Sequence, residues 1–245
     1  NLSTLGGKAA GVVTVTNAVA ITGTAAEVTA ALVTAGTLVV VSDAAVTITG
    51  NPTITELNAI AAKTTGVVTA TLASTAIADL ASLSTASNDV ITLAVSDNPA
   101  ITELNTLAGK TAGVVTATLA ADSLSNLGSL STASTDAITI TVNDADAAAL
   151  TAANLSTLGG KTSGTVTVTN AVAITGDHDQ LTAALVTAGT KVDVSDATVT
   201  ISDADTTAIT AAELSAIRGA TTGTVTVTNA VAITGDHDQL TAALY

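Results

Sequence analysis

The amino-acid sequence predicts an α/β solenoid: parallel β-strand ladders with one short helix in each coil of roughly 26 residues, gently curved or twisted. Three observations predict it. A long motif recurs five times along the chain. Helix-start signals alternate with short strand patterns from end to end. The apolar residues available for a core are almost all aliphatic: Phe, Trp, Met and Cys are absent, and the only Tyr is the last residue. Val, Ile, Leu and Ala each bury less area than a ring, so many small contacts must add up. Thin, regular layers suit that composition better than a core of large side chains.

The motif reads (N/E)-L-x-x-(L/I), then five residues, then G-x-V-T. It starts at Asn1, Glu56, Glu103, Asn154 and Glu213. Its leucines (Leu2, Leu57, Leu104, Leu155, Leu214) and its glycines (Gly11, Gly66, Gly113, Gly164, Gly223) share the spacings 55, 47, 51 and 59. The distance between the helix-like and strand-like parts is therefore constant, and length varies elsewhere. A looser motif lies between these, with apolar pairs at Val28/Leu32, Leu80/Leu83, Leu127/Leu130, Leu181/Leu185 and Leu240/Leu244. Strand-like runs ending in Asp follow four of the pairs: TLVVVSD, VITLAVSD, AITITVND and TKVDVSD. The long repeat thus divides into two half-repeats, about nine to ten over residues 1–245. This predicts one continuous segment cut from a longer array.

Each half-repeat opens with helix signals. Thr24-x-x-Glu27, Asp177-x-x-Gln180, Thr210-x-x-Glu213 and Asp236-x-x-Gln239 have the spacing of a capping box, in which the first side chain takes an orphan amide proton and the last reaches back. Gly7, Gly109, Gly160 and Gly219 stand where a left-handed helix stop is expected. A strand pattern follows. In GTVTVTNAVAIT, Val166 and Val168 alternate with Thr165, Thr167 and Thr169, Asn170-Ala171 can turn the chain, and Val172 and Ile174 resume the inward pattern. Pro52 and Pro99 follow Asn and precede a helix in both GNPTITELN and DNPAITELN, marking the same turn twice.

The stretch GTVTVTNAVAITGDHDQLTAAL occurs at Gly164–Leu185 and again at Gly223–Leu244. A helix-plus-strand coil cannot bury its own apolar face, but stacked on a neighbour it can, with strands pairing in parallel about 4.8 Å apart. A unit that has only to fit copies of itself can be duplicated without change. Helices pack at about 8–10 Å, so the Ala- and Gly-rich helices are expected to approach closely and limit bending.

Composition excludes several classes. Twenty acids against six bases give a net charge of −14, which repels nucleic acid. Mean hydropathy is positive, yet Thr, Ser or Gly interrupts every apolar run, so no membrane-spanning helix is expected. Without cysteine there are no disulfides, thiolate metal sites or thiol nucleophiles. No enzyme constellation appears. The two histidines are copies of one feature, and the string GGKTSG lacks the earlier glycine of a phosphate loop, which would fall at Leu155.

Four residue sets remain. Asp177-His178-Asp179 and its twin Asp236-His237-Asp238 read as a cation or zinc site or, more simply, as helix N-caps, since Thr24-Ala25-Ala26-Glu27 keeps only the capping pattern. Asp43, Asp97, Asp144 and Asp196, with Asp146, Asp203 and Asp205 nearby, read as turn formers or as a column offering weak calcium binding. Lys8, Lys63, Lys110 and Lys161 share one repeat position, with Arg218 close to it, and read as charge balance or an anion row. The pairs Thr14/Thr16, Thr69/Thr71, Thr116/Thr118, Thr167/Thr169 and Thr226/Thr228 read as outward strand residues or as an ice-binding array. No catalytic, cofactor-binding or metal residue is assigned from these sets.

The units NLSTLGGKT, TELNTLAGKTAGVVTATLA and GTVTVTNAVAITG resemble the Ala/Thr/Val-rich tandem arrays of very large bacterial cell-surface proteins, known as β-strand-repeat proteins and frequent in marine cyanobacteria. The resemblance covers essentially the whole chain. It implies an extracellular, non-catalytic structural or adhesive role. A second resemblance is to leucine-rich repeats: the period and the L-x-x-L start fit, whereas the Asn or Cys ladder position is missing. The expected partner is the chain itself, by head-to-tail stacking, with cell-surface glycans as a further class.

Overall fold

The computed structural model describes residues 1–244. Chain contacts gather into two compact units, Asn1–Thr118 and a second beginning at Leu119. Both are α/β, and every strand pair within them is parallel.

The first unit runs α1 (Leu2–Lys8), β1 (Val13–Val15), β2 (Ala20–Thr24), α2 (Ala25–Leu32), β3 (Val39–Val41), β4 (Ala45–Thr49), α3 (Ile54–Ala61), β5 (Val68–Thr71), α4 (Ile77–Leu80), β6 (Val90–Ala94), α5 (Ile101–Ala108) and β7 (Val115–Thr118). Within it β1 pairs with β3, and β2, β4, β5, β6 and β7 pair in that order. The second unit runs α6 (Leu124–Leu127), β8 (Ala137–Val142), β9 (Ala149–Thr151), α7 (Ala152–Gly159), β10 (Val166–Val168), β11 (Ala173–Gly176), α8 (His178–Leu185), β12 (Asp193–Val194), β13 (Thr198–Ile201), β14 (Ala208–Thr210), α9 (Ala211–Gly219), β15 (Val225–Val227), β16 (Ala232–Thr234) and α10 (His237–Leu244). Its ladders are β8-β10-β12, β9-β11-β13-β15 and β14-β16.

The registers carry the repeat into space. Val13 pairs with Val39, Ala20 with Ala45, Thr69 with Val90, Ile140 with Val166 and Val199 with Val225. Each strand therefore lies beside a strand of an adjoining half-repeat. The strands divide over several sheets because the long half-repeats hold two or three strands and the short ones hold one. After α8 the chain makes three, and β13 then joins the second strand of the preceding half-repeat (β11) to the first of the next (β15). Identical segments thus occupy different ladders.

Within each unit the alternation predicted from sequence forms the core. Leu57, Leu104 and Leu155 of the long motif are fully buried, as are Leu32, Leu80, Leu127 and Leu181 of the looser one. Burying each such side chain stabilises by about 1.5–3 kcal/mol. All four expected capping boxes form. Asp177 accepts from the Gln180 amide at 2.8 Å and Gln180 accepts from the Asp177 amide at 3.3 Å, with Asp236 and Gln239 repeating the exchange. Thr53 and Glu56 make a further box. Pro52 and Pro99 are buried just before α3 and α5.

The left-handed glycine stops are not found. Gly109 and Gly160 cap their helices at φ −69° and −70°, with right-handed backbone. Gly7 and Gly219 lie inside α1 and α9. Among the described residues Gly50 is the glycine with positive φ. Glycine is needed in this fold chiefly for close approach. A Cβ on Gly164 would stand 2.4 Å from the Ile138 carbonyl oxygen, and one on Gly159 would stand 2.1 Å from that of Thr190. Both distances are too short for any side chain. No described helix is long and apolar enough to cross a membrane.

Candidate functional site: an aspartate–histidine cap

At the start of α8 the Asp203 carboxylate, from the half-repeat that follows, grips His178 twice. The His178 backbone N–H donates to one carboxylate oxygen at 2.8 Å, and Nδ1 lies 2.7 Å from the other. Asp203 is 6 % exposed. A carboxylate at a helix N-terminus completes an orphan amide and meets the positive end of the helix dipole. The Asp203 hydrogen bond is the main cause holding the His178 pKa above its ordinary value. Burial opposes it, while the charges of Asp203, Asp179 and Glu213 assist. Asp179 is largely exposed, with Oδ1 3.5 Å from His178 Nε2.

The same device recurs without histidine. Asp97 accepts from the Ile77 amide at 3.0 Å, at the start of α4. Asp144 accepts from the Leu124 amide at 2.7 Å, at the start of α6. These helices are single turns of four residues, too short to hold themselves. Their far ends are held as well. Lys110 Nζ donates to the Ala81 and Leu83 carbonyls at 2.7 and 2.8 Å, and Lys161 Nζ donates to the Gly128 carbonyl at 2.6 Å. An acid at the N-terminus and a base at the C-terminus, both from the next half-repeat, match the dipole of each turn. Asp97, Asp144, Lys110 and Lys161, drawn from the acid and lysine rows, are thus fastened to backbone groups. Among the described residues the Lys-carboxylate ion pair is Lys191–Asp193, at 2.9 Å.

Two of the other acids also serve the backbone, and two bind a neighbouring serine. Asp146 and Asp205 accept from the Ala171 and Ala230 amides at 3.1 and 2.9 Å. Asp43 and Asp196 accept from the hydroxyls of Ser42 and Ser195. No group of three or more His, Asp or Glu suited to a metal occurs among the described residues. In the capping boxes, bonds from the Thr24, Thr53 and Thr210 amides and hydroxyls hold Glu27, Glu56 and Glu213 below the usual carboxylate range.

Sequence reading missed the threonine two places before the repeat glycine. Thr162 is buried. Its hydroxyl accepts from the Ile138 and Gly164 amides at 2.7 and 2.8 Å, and lies 3.0 and 2.8 Å from the Asp136 and Ile138 carbonyls. Thr111 repeats the arrangement on Ile91, Gly113 and Asp89. The recurrent T-x-G of Thr64, Thr111, Thr162 and Thr221 was the available signal. The GGKTSG string is thereby accounted for, since Lys161 and Thr162 both bind the preceding half-repeat.

The outward threonines align more fully than the T-x-T pairs alone indicate. Thr151, Thr175, Thr200 and Thr226 form one column across β9, β11, β13 and β15. The column two residues earlier starts Ala149, Ala173, Thr198.

His237, the sequence twin of His178, is exposed at the start of α10. In the first copy β10 pairs on both sides, with β8 and β12, and β11 pairs with β9 and β13. In the second, β15 pairs with β13 and β16 with β14. Comparison of this chain with family models, with curated proteins and with solved structures found no match.

Proposed function

We propose that the chain is a non-catalytic structural repeat protein, an α/β solenoid segment with leucine-rich-repeat-like stacking, of an extracellular filament, surface layer or adhesin stalk. It acts by self-association, with half-repeats stacking end to end. The observation that carries this reading is the use of charged side chains. Asp97, Asp144, Asp203, Lys110 and Lys161 each bind the backbone of the adjoining half-repeat. Side chains that in an enzyme or receptor would face a ligand here hold one layer to the next. The likeness to bacterial β-strand-repeat arrays agrees with this role and with a cell-surface location. Contacts that add head to tail without closing generate filaments. Electron microscopy of the purified chain at low micromolar concentration tests it. Filaments with an axial repeat matching whole half-repeats are expected, and isolated short particles at every concentration would sink the self-association.

A second reading, a binding module for calcium, glycan or ice on the same scaffold, is favoured by one observation, the column Thr151–Thr175–Thr200–Thr226. Ice binding by this column predicts inhibition of ice recrystallisation that is lost in Thr175→Val/Thr200→Val. A calcium module predicts a melting temperature lowered by chelator.

A further inference from the structure

The outward side of the first unit's main sheet carries no charge. Along β2, β4, β5 and β6 the inward residues, such as Ile21, Val46, Val68 and Ile91, are buried, and the residues between them face out. Every outward residue of these strands is Thr, Ala or Val, in a chain of net charge −14. The threonines stand in register. Thr22 lies beside Thr47, and Thr47 beside Thr69. Two residues further along, Thr24 lies beside Thr49 and Thr71 beside Thr92. Such positions repeat about 4.8 Å apart across the strands and about 6.6 Å apart along them. Thr22, Thr47, Thr49 and Thr71 are exposed, and Thr69 and Thr92 are half-buried. Among the described residues no hydrogen bond engages the hydroxyls of these six. Thr64 and Thr111, which lie outside the strands, turn theirs inward to the Ala44 and Asp89 carbonyls at 2.6 and 3.0 Å.

Chemistry narrows what such a face can hold. An ionic partner finds no counter-charge among its strand residues. A glycan platform draws on aromatic rings, apolar on the face and polar at the edge, and this chain has no Phe or Trp and a single Tyr, its last residue. A second copy brings the same unengaged hydroxyls and the same net negative charge, which repels. A neutral solid with donors and acceptors repeating in two directions fits on both counts. We propose that the outward face of β2, β4, β5 and β6 binds the surface of ice through Thr22, Thr47, Thr49, Thr69, Thr71 and Thr92. Each hydroxyl offers one donor and two acceptor sites to lattice water. Each β-branched side chain keeps few rotamers, so little freedom is lost on contact. No carboxylate has to be stripped of water. Single contacts are weak, and a repeating lattice engages all of them at once. The inference rests on the ice arm of the binding-module reading and gives it a site in the first unit, where two threonine columns run side by side. In the second unit the neighbouring column starts Ala149, Ala173.

The test uses the full 245-residue chain in an ice-recrystallisation assay, with adsorption of the fluorescently labelled chain to a growing ice surface as a second readout. The wild type is expected to keep crystals small at micromolar concentration and to enter the ice. Thr47→Tyr/Thr69→Tyr sets two rings over the middle of the face, and Tyr is itself a good strand residue. With an unchanged far-UV spectrum, this variant should need about tenfold more protein for the same effect, as for loss of several weak hydrogen bonds, and should be excluded from the ice. Thr49→Lys, one charge on the same face, should lose activity as well, and it decides the matter if the double variant does not fold. Thr175→Tyr/Thr200→Tyr, in the second unit, should keep the wild-type effect. Full activity of the first-unit variants, with loss in the second-unit one, would overturn this inference and leave ice binding by the Thr151–Thr226 column standing. A wild type without effect on ice would remove both. Concentration-dependent pairing that Thr47→Tyr/Thr69→Tyr abolishes, without adsorption to ice, would make the face a contact between copies and equally overturn the proposal.

Discussion

Val166, Val168, Val172, Ile174, Leu181 and Leu185 are buried, whereas Val225, Val227, Val231, Ile233 and Leu240 are half-buried and Leu244 is 56 % exposed. The two sets have the same sequence and the same local structure: two short strands, a capping box and an eight-residue helix. Only their neighbours differ. Among the described residues, the strands of the first copy pair on both sides and those of the second on one side. In the second, Ala243 is the residue of the 22 that remains buried. The comparison teaches that local signals are enough to shape a half-repeat, while burial belongs to the pair of half-repeats that meet.

The comparison can be broken most directly at its leucines. Leu181→Ala should lower unfolding stability by about 2–5 kcal/mol, the range for truncating a buried leucine. Leu240→Ala, at the matching half-exposed position, should cost less than about half as much. Urea titration of both variants checks this, and equal losses would mean that the second copy is covered in solution. Glycine offers the next test. A Cβ on Gly164 meets the Ile138 carbonyl, while one on Gly11, in the first repeat, meets nothing within 4 Å. Gly164→Ala should cost about 1–3 kcal/mol through the shift it forces, and Gly11→Ala should be nearly neutral.

The His178–Asp203 pair sharpens the comparison through pH. The folded-state pKa of His178 is raised, chiefly by Asp203. Its contribution is therefore fully present below the ordinary histidine pKa of about 6.5 and is lost as pH rises through the raised value. The difference in urea midpoint between the wild type and His178→Ala should shrink across that window. A difference that grows with pH would contradict the pairing. A smaller loss than at Leu181 or Gly164 is expected at Lys161→Met, which keeps most of the aliphatic stem and loses the bond to the Gly128 carbonyl, at about 0.5–1.5 kcal/mol.

Much of the local structure was legible in the amino-acid order because its causes are local. Thr24 with Glu27 and Asp177 with Gln180 are three residues apart, so the capping exchange needs nothing beyond the first helical turn. Val-x-Val alternation against threonine marks which strand side is apolar, whatever lies beside it. Parallel pairing followed from the period, since successive copies running in the same direction can pair only that way.

What only the tertiary structure decided lies in interactions between residues some twenty or more positions apart. Asp203 could not be told from a turn former until it stood 2.7 Å from His178. Lys110 and Lys161 could not be told from charge balance until their ammonium groups reached carbonyls of the preceding half-repeat. Thr162 became a buried latch only through the backbone of residues 136–138. The fate of one 22-residue sequence was likewise decided by neighbours. Strand count in the intervening half-repeat chose which ladder each copy joined, and the presence of a following half-repeat chose which copy was buried. Capping and alternation depend on bonds within a turn or a strand, which the sequence by itself determines. Layer-to-layer bonds depend on which chain segment arrives alongside, and that is settled only when the chain has folded.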